Sequence, residues 1–138
     1  MKIEYYISTD KSKLNISLIH EFLDKRSYWA KGRSLATVQK SIENSLCFGV
    51  YKDNEQVGFA RVATDYAVFA WIMDVFIIEE YRKQGLGKLL MESILEYPDL
   101  QSLKKWGLAT QDAHELYKKF GFKSLLHPEY IMEKVTKK

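Results

Sequence analysis

Two glycines one residue apart, flanked by basic side chains, form the segment of this sequence best suited to hold an anion. Asp74-Val75-Phe76-Ile77-Ile78-Glu79-Glu80-Tyr81-Arg82-Lys83-Gln84-Gly85-Leu86-Gly87-Lys88 leads from an apolar, β-branched stretch into a helical pattern. A helix starting at that turn presents unpaired N–H groups and the positive end of its dipole. Glycine lets the backbone come close to phosphate oxygens, and Arg82, Lys83 and Lys88 add positive charge. A pyrophosphate would suit the turn. The nucleoside-triphosphate P-loop is excluded, because Leu89 follows Lys88 where Ser or Thr is required. The dinucleotide fingerprint is excluded as well, since its third glycine would fall at Leu90. The plain alternative is a strand-to-helix turn with a solvated basic face.

Asp74 is the second candidate. A carboxylate inside an apolar strand is costly unless it is paired or functional. It is a candidate general base, or else the partner of Arg61 on the neighbouring strand. Tyr28-Trp29-Ala30-Lys31-Gly32-Arg33 sets two aromatic and two cationic side chains in one loop, and Arg33 can grip a carboxylate or phosphate with two donors. An interhelix loop with Trp29 as a plug is the alternative there.

These residues need a scaffold, and hydrophobic periodicity outlines it. Lys2 to Ser8 alternates as a first strand, and Asn15 to Lys25 places Leu18, Ile19, Phe22 and Leu23 on one helical face. Ser34 can cap a second helix through Val38 and Ile42. Leu46 to Lys52 and Gln56 to Ala63 are strands joined by the turn Asp53-Asn54-Glu55. Ala67 to Ile78 is expected as a central strand buried on both faces. A helix carries Leu86, Leu89, Leu90 and Ile94 and stops before Pro98; Trp106 to Thr110 is a short strand. Asp112 and Glu115 are expected to cap a last helix whose stripe is Ala113, Leu116, Tyr117 and Phe120 and whose stop is Gly121. Phe122 to Leu126 and Tyr130 to Lys134 are expected to close the sheet as a hairpin. The order is β-α-α-β-β-β-α-β-α-β: an α/β (α+β) class with a mixed, mostly antiparallel sheet flanked by helices.

With 138 residues, 46% of them apolar, the chain suits one domain over residues 1–138 with a sizeable core. A net charge of +3 is too small and too dispersed for a nucleic-acid binder, although the pairs Lys104-Lys105, Lys118-Lys119 and Lys137-Lys138 raise the question. No apolar run is long enough for a membrane span. A lone cysteine, Cys47, and a start without a signal-peptide pattern lead to the expectation of a cytoplasmic protein.

Two motifs now combine. Arg82-Lys83-Gln84-Gly85-Leu86-Gly87 matches an R/Q-x-x-G-x-G/A signature, and Leu116-Tyr117-Lys118-Lys119-Phe120-Gly121-Phe122 matches a later L-Y-x-x-x-G-F element at the expected separation. On these motifs the chain resembles the GNAT superfamily of acyl-CoA-dependent N-acyltransferases, over about Lys2 to Glu133. The resemblance implies acetyl-CoA as co-substrate, no metal, and attack of an acceptor's primary amine on the thioester in a ternary complex. It implies that Val75, Phe76 and Ile77 meet the pantetheine arm, that residues Lys83 to Lys88 cradle the pyrophosphate, and that Tyr117 protonates the departing thiolate. Thr110 stands where the family often has a cofactor-binding asparagine. Tyr28, Trp29 and Arg33 would border the acceptor pocket. A small-molecule or peptide amine is the implied partner, a homodimer stays open, and neither nucleic acid nor membrane is expected. The alternative is a non-catalytic CoA or nucleotide-binding module of the same fold.

Overall fold

The computed structural model describes residues 4–136. Five strands form one sheet in the order β1-β2-β3-β4-β5: β1 (Tyr5–Ser8), β2 (Leu46–Lys52), β3 (Glu55–Thr64), β4 (Phe69–Ile77) and β5 (Lys105–Leu108). The first four pair antiparallel and β5 runs parallel to β4. This is the expected mixed, mostly antiparallel sheet. Lys2 and Ile3 of the expected first strand, like Lys137-Lys138, lie outside the described residues. The β2–β3 hairpin turns through Asp53 at φ 55°, a left-handed conformation that aspartate tolerates better than most residues.

Helices cover both faces. α1 (Ile16–Glu21) begins where the Asn15 side chain accepts from Leu18 N–H, and α2 (Leu35–Glu43) where Ser34 Oγ accepts from Thr37 N–H. With the turn that follows α1 they bury Ile19, Phe22, Leu23, Val38 and Ile42 against Cys47, Phe59 and Phe76. α3 (Leu86–Leu95) and α4 (His114–Lys118) lie on the other face, where Leu86, Leu90, Met91, Ile94 and Tyr117 join Phe48, Val50, Ala60 and Ile72.

Several expectations need correction. The first helix does not run on to Lys25 as an α-helix: from Phe22 to Arg26 it widens into a π-turn closed by Ser27 N–H to Phe22 O at 3.0 Å. Ser27 Oγ then donates to Leu23 O and accepts from Ala30 N–H, turning the chain into the following loop. β4 is neither central nor buried on both faces. β3 holds the middle, and Phe69 and Trp71 are exposed while Ala70 and Ile72 are buried, because the α1–α2 layer covers only the later residues of β4. Asp112 does not cap α4; the Thr110 hydroxyl accepts from Ala113 N–H at 3.0 Å instead. The closing hairpin is absent among the described residues. Phe122 to Leu126 and Tyr130 to Lys134 belong to no strand, and Pro128 opens a single 3₁₀ turn between them. Two short strands alone lack a packed face to hold them together. Gly121 does end α4, at φ 92°, with Phe122 N–H reaching back to Tyr117 O.

Candidate active site

The site is organised by one extra residue in β4. Phe59 faces Phe76 and Arg61 faces Met73, so Ala60 alone opposes both Asp74 and Val75. This is a β-bulge, and Asp74 sits in it at φ 54°. The bulge exchanges the faces of the strand. Before it, Ala70 and Ile72 point to the α3 side; after it, Val75 and Ile77 do, while Phe76 turns to the α1 side and stacks on Phe22 with centroids 4.0 Å apart.

Three donors converge on the Asp74 carboxylate. Arg61 Nε and Arg33 Nη1 both donate to Oδ2 at 2.9 Å, and Trp29 Nε1 donates to Oδ1 at 2.9 Å. The Asp74 side chain is 2% exposed. A carboxylate so deep is tolerable because two guanidiniums neutralise it, and removing them would leave an isolated buried charge. The expected Arg61 pairing is present, and the Tyr28–Arg33 loop has been pulled into it.

β4 and β5 stay paired only from Phe69 opposite Lys105 to Ile72 opposite Leu108. Beyond that point they part, and a cavity of about 490 Å³ opens between them. Asp74 and Val75 line it from β4, Thr110 and Tyr117 from the α4 side, and Tyr28, Trp29 and Arg33 from the loop after the π-turn. Candidates from three distant stretches of sequence thus share one cavity. The Tyr28 hydroxyl accepts from Gln111 N–H at 2.8 Å, which ties the loop to the segment leading into α4. Phe76 and Ile77 do not line the cavity, and neither do Arg82 to Lys88. Trp71 does, and sequence reasoning missed it; its side chain lies across Gly107 on β5. No sequence signal set Trp71 apart, because it stands among apolar residues from Phe69 to Met73.

Tyr117 is buried, and desolvation pushes its hydroxyl up to about 12. It therefore stays protonated throughout the neutral range. Among the described residues the Thr110 hydroxyl hydrogen has no acceptor, since its bond to Ala113 uses only the oxygen.

The glycine turn has the form an anion needs. Lys83 and Gly85 are left-handed, at φ 64° and 81°, and the first helical bond of α3 is Leu89 N–H to Gly85 O. Among the described residues, the N–H groups of Gly85, Leu86, Gly87 and Lys88 have no intramolecular acceptor. Arg82 Nε donates to Ile77 O at 2.9 Å, and Tyr5 O–H donates to Gln84 Oε1 at 2.8 Å, so both ends of the turn are fastened. A Cβ at Gly87 would make only ordinary contact with Leu116, at 3.6 Å. The fold itself does not demand glycine there.

The fourth and fifth strands thus part beside a bulge, and a glycine turn leads from the fourth into α3. Residues 43–124 match the acetyltransferase (GNAT) domain, and the chain belongs to that family. A GNAT-family protein from Xanthomonas campestris pv. campestris has a structure similar to this one at TM-score 0.94 and is 47% identical, covering 96% of this chain and 94% of that one. The uncharacterized N-acetyltransferases ycf52 of Gracilaria tenuistipitata var. liui and Pyropia yezoensis are each 31% identical. They cover 87% and 88% of this chain and 68% and 73% of their own lengths.

Proposed function

We propose that the protein transfers the acetyl group of acetyl-CoA to a primary amine by direct attack in a ternary complex. The observation that carries this reading is the parting of β4 from β5, which opens a cavity lined by Val75, Thr110 and a buried, protonated Tyr117. Acetyl-CoA supplies the activated acetyl thioester. The free N–H groups from Gly85 to Lys88, with Arg82, Lys83, Gln84 and Lys88 around them, hold its pyrophosphate. The backbone of Val75, Phe76 and Ile77, where β5 no longer pairs with β4 and Arg82 takes the Ile77 carbonyl, meets the pantetheine and offers donors to the oxyanion. Tyr117 gives its proton to sulfur as the C–S bond breaks, and regains one from the amine nitrogen through water as the amide forms.

Direct attack is favoured because the chain's one cysteine cannot take the acetyl group. Cys47 is buried outside the cavity, and burial holds its thiol near 11. Asp74 already accepts three hydrogen bonds, so its role in this reading is to position Arg33 and Trp29 rather than to take the amine's proton. Among the described residues Arg33 Nε and Nη2 have no acceptor, and in this reading they grip a carboxylate or phosphate on the acceptor between the aromatic walls of Tyr28, Trp29 and Trp71.

The test is CoA release from acetyl-CoA over a panel of primary amines, with and without an anionic group. Turnover with an anionic amine supports the reading. Acetyl-CoA binding with no turnover on any amine would leave the protein a binding module.

A further inference from the structure

One carboxylate in the cavity is held in place but engaged by nothing. Sequence patterning gives Asp112 to the start of α4 as a cap, yet the Thr110 hydroxyl takes that place and Glu115 pairs with Lys118 at 3.6 Å. Among the described residues the Asp112 carboxylate has no hydrogen-bond or ion-pair partner, and it lines the cavity at an exposed position. Its backbone is fastened on both sides: Gln111 N–H donates to the Tyr28 hydroxyl at 2.8 Å, and Ala113 N–H donates to Thr110 Oγ1 at 3.0 Å. The other ionisable groups that line the cavity are already committed. Asp74 accepts three hydrogen bonds, Arg33 is one of its donors, Tyr28 is tied to Gln111, and Tyr117 is protonated. The group of Asp74, Arg61 and Arg33 carries a net positive charge on the loop side, and Asp112 a negative charge on the α4 side. That negative charge reaches Tyr117: burial does most to hold its hydroxyl high, and Tyr28 and then Asp112 add to it.

A primary amine of lysine-like basicity, about 10.4, is neutral in roughly one molecule in 2,500 at pH 7, and an ammonium has no lone pair to offer a thioester. We propose that in the acetyl transfer inferred above, on which this rests, Asp112 receives the acceptor's ammonium on the Tyr117 side of the cavity and takes its first proton. The exposed carboxylate passes that proton to bulk water. The lone pair so released forms the N–C bond as the C–S bond breaks and Tyr117 protonates sulfur. The nitrogen's second proton returns to Tyr117 through water, so one proton leaves with the solvent and one with the thiol. An acceptor that carries its own anionic group meets a complementary charge at each end, Arg33 for the anion and Asp112 for the ammonium.

The test compares wild type, Asp112→Asn and Asp112→Glu in CoA release over the amine panel, β-alanine and 2-aminoethyl phosphate included, at pH 7 and pH 10. Asp112→Asn is expected to lower kcat/KM for the amine by about a hundredfold at pH 7. At pH 10 roughly 30% of the amine is already neutral, and the deficit is expected to shrink to within about threefold. Tyr117 keeps its proton at both pH values, so the change with pH reports on the amine. Asp112→Glu is expected to restore most of the loss at pH 7. Acetyl-CoA affinity by calorimetry and the melting temperature are expected to match wild type in both variants, because the side chain supports no contact of the fold. A deficit of equal size at both pH values, or an Asp112→Asn enzyme as fast as wild type at pH 7, would overturn the role of Asp112 and leave acetyl transfer standing. No turnover by wild type on any amine would overturn the transfer and this role together.

Discussion

Arg61 and Asp74 are joined Nε to Oδ2 at 2.9 Å although the residue opposite Arg61 in the ladder is Met73. The bulge makes this possible. It turns the aspartate onto the face that the parity of the strand would otherwise deny it, where Arg33 and Trp29 meet the same carboxylate. Asp74→Asn keeps a side chain that tolerates the left-handed backbone but removes the charge that two guanidiniums share. The expected loss is about 3–5 kcal/mol in urea unfolding. A loss below about 1 kcal/mol would show that the pairs add nothing to the fold.

Tyr117→Phe separates proton delivery from packing, because the ring that fills the α3–α4 core is kept. Single-turnover acetyl transfer is expected to fall by about a hundredfold to ten-thousandfold, with acetyl-CoA affinity and melting temperature close to wild type. A wild-type single-turnover rate would remove Tyr117 from the chemistry.

The two glycines of the turn are expected to respond differently. Gly85→Ala forces a Cβ into φ 81° and is expected to cost about 1–2 kcal/mol of stability as well as acetyl-CoA affinity. Gly87→Ala has room within the chain, its Cβ meeting Leu116 at an ordinary 3.6 Å. Its expected signature is weakened acetyl-CoA binding by calorimetry with little change in stability beyond helix propensity. Unchanged affinity in both variants would sink the pyrophosphate assignment.

Alkaline pH should weaken the fold through two buried tyrosines. Burial raises both Tyr51 and Tyr117 from an ordinary value near 10 to about 12. The unfolded chain therefore releases these protons first, and stability present below pH 10 is lost as pH rises toward 12. Tyr51 has no hydrogen-bond partner for its buried hydroxyl among the described residues. Tyr51→Phe is expected to be neutral or stabilising by about 1 kcal/mol, and to flatten this alkaline loss. Denaturation midpoints between pH 8 and 11 check both.

The order of elements as far as α4 was legible in sequence because period-two and helical patterns alternate cleanly from Tyr5 to Tyr117. Ser34 announced a helix start, and Gly121 a stop. The bulge was not legible: Asp74 stood out as a buried carboxylate, but nothing in Met73-Asp74-Val75 tells a straight strand from one carrying an extra residue. The gathering of Tyr28, Trp29 and Arg33 around Asp74 depends on that bulge and on the π-turn, which are tertiary outcomes. The C-terminal pattern was legible as strands, but strand formation needs a neighbour that periodicity does not supply.

The reversal of faces at Asp74 and Val75 also sets what kind of sequence change β4 can accept. Removing Val75 would leave Asp74 alone opposite Ala60, so that Phe76 stayed opposite Phe59 while the carboxylate turned into the α3 core, away from Arg33 and Trp29. Removing Asp74 would leave Val75 opposite Ala60 and every later side chain on its present face, but two guanidiniums without the anion they share. The extra residue is thus an insertion that the ladder around it does not need: the strand beyond Phe76 would survive its loss, and the place of the carboxylate would not.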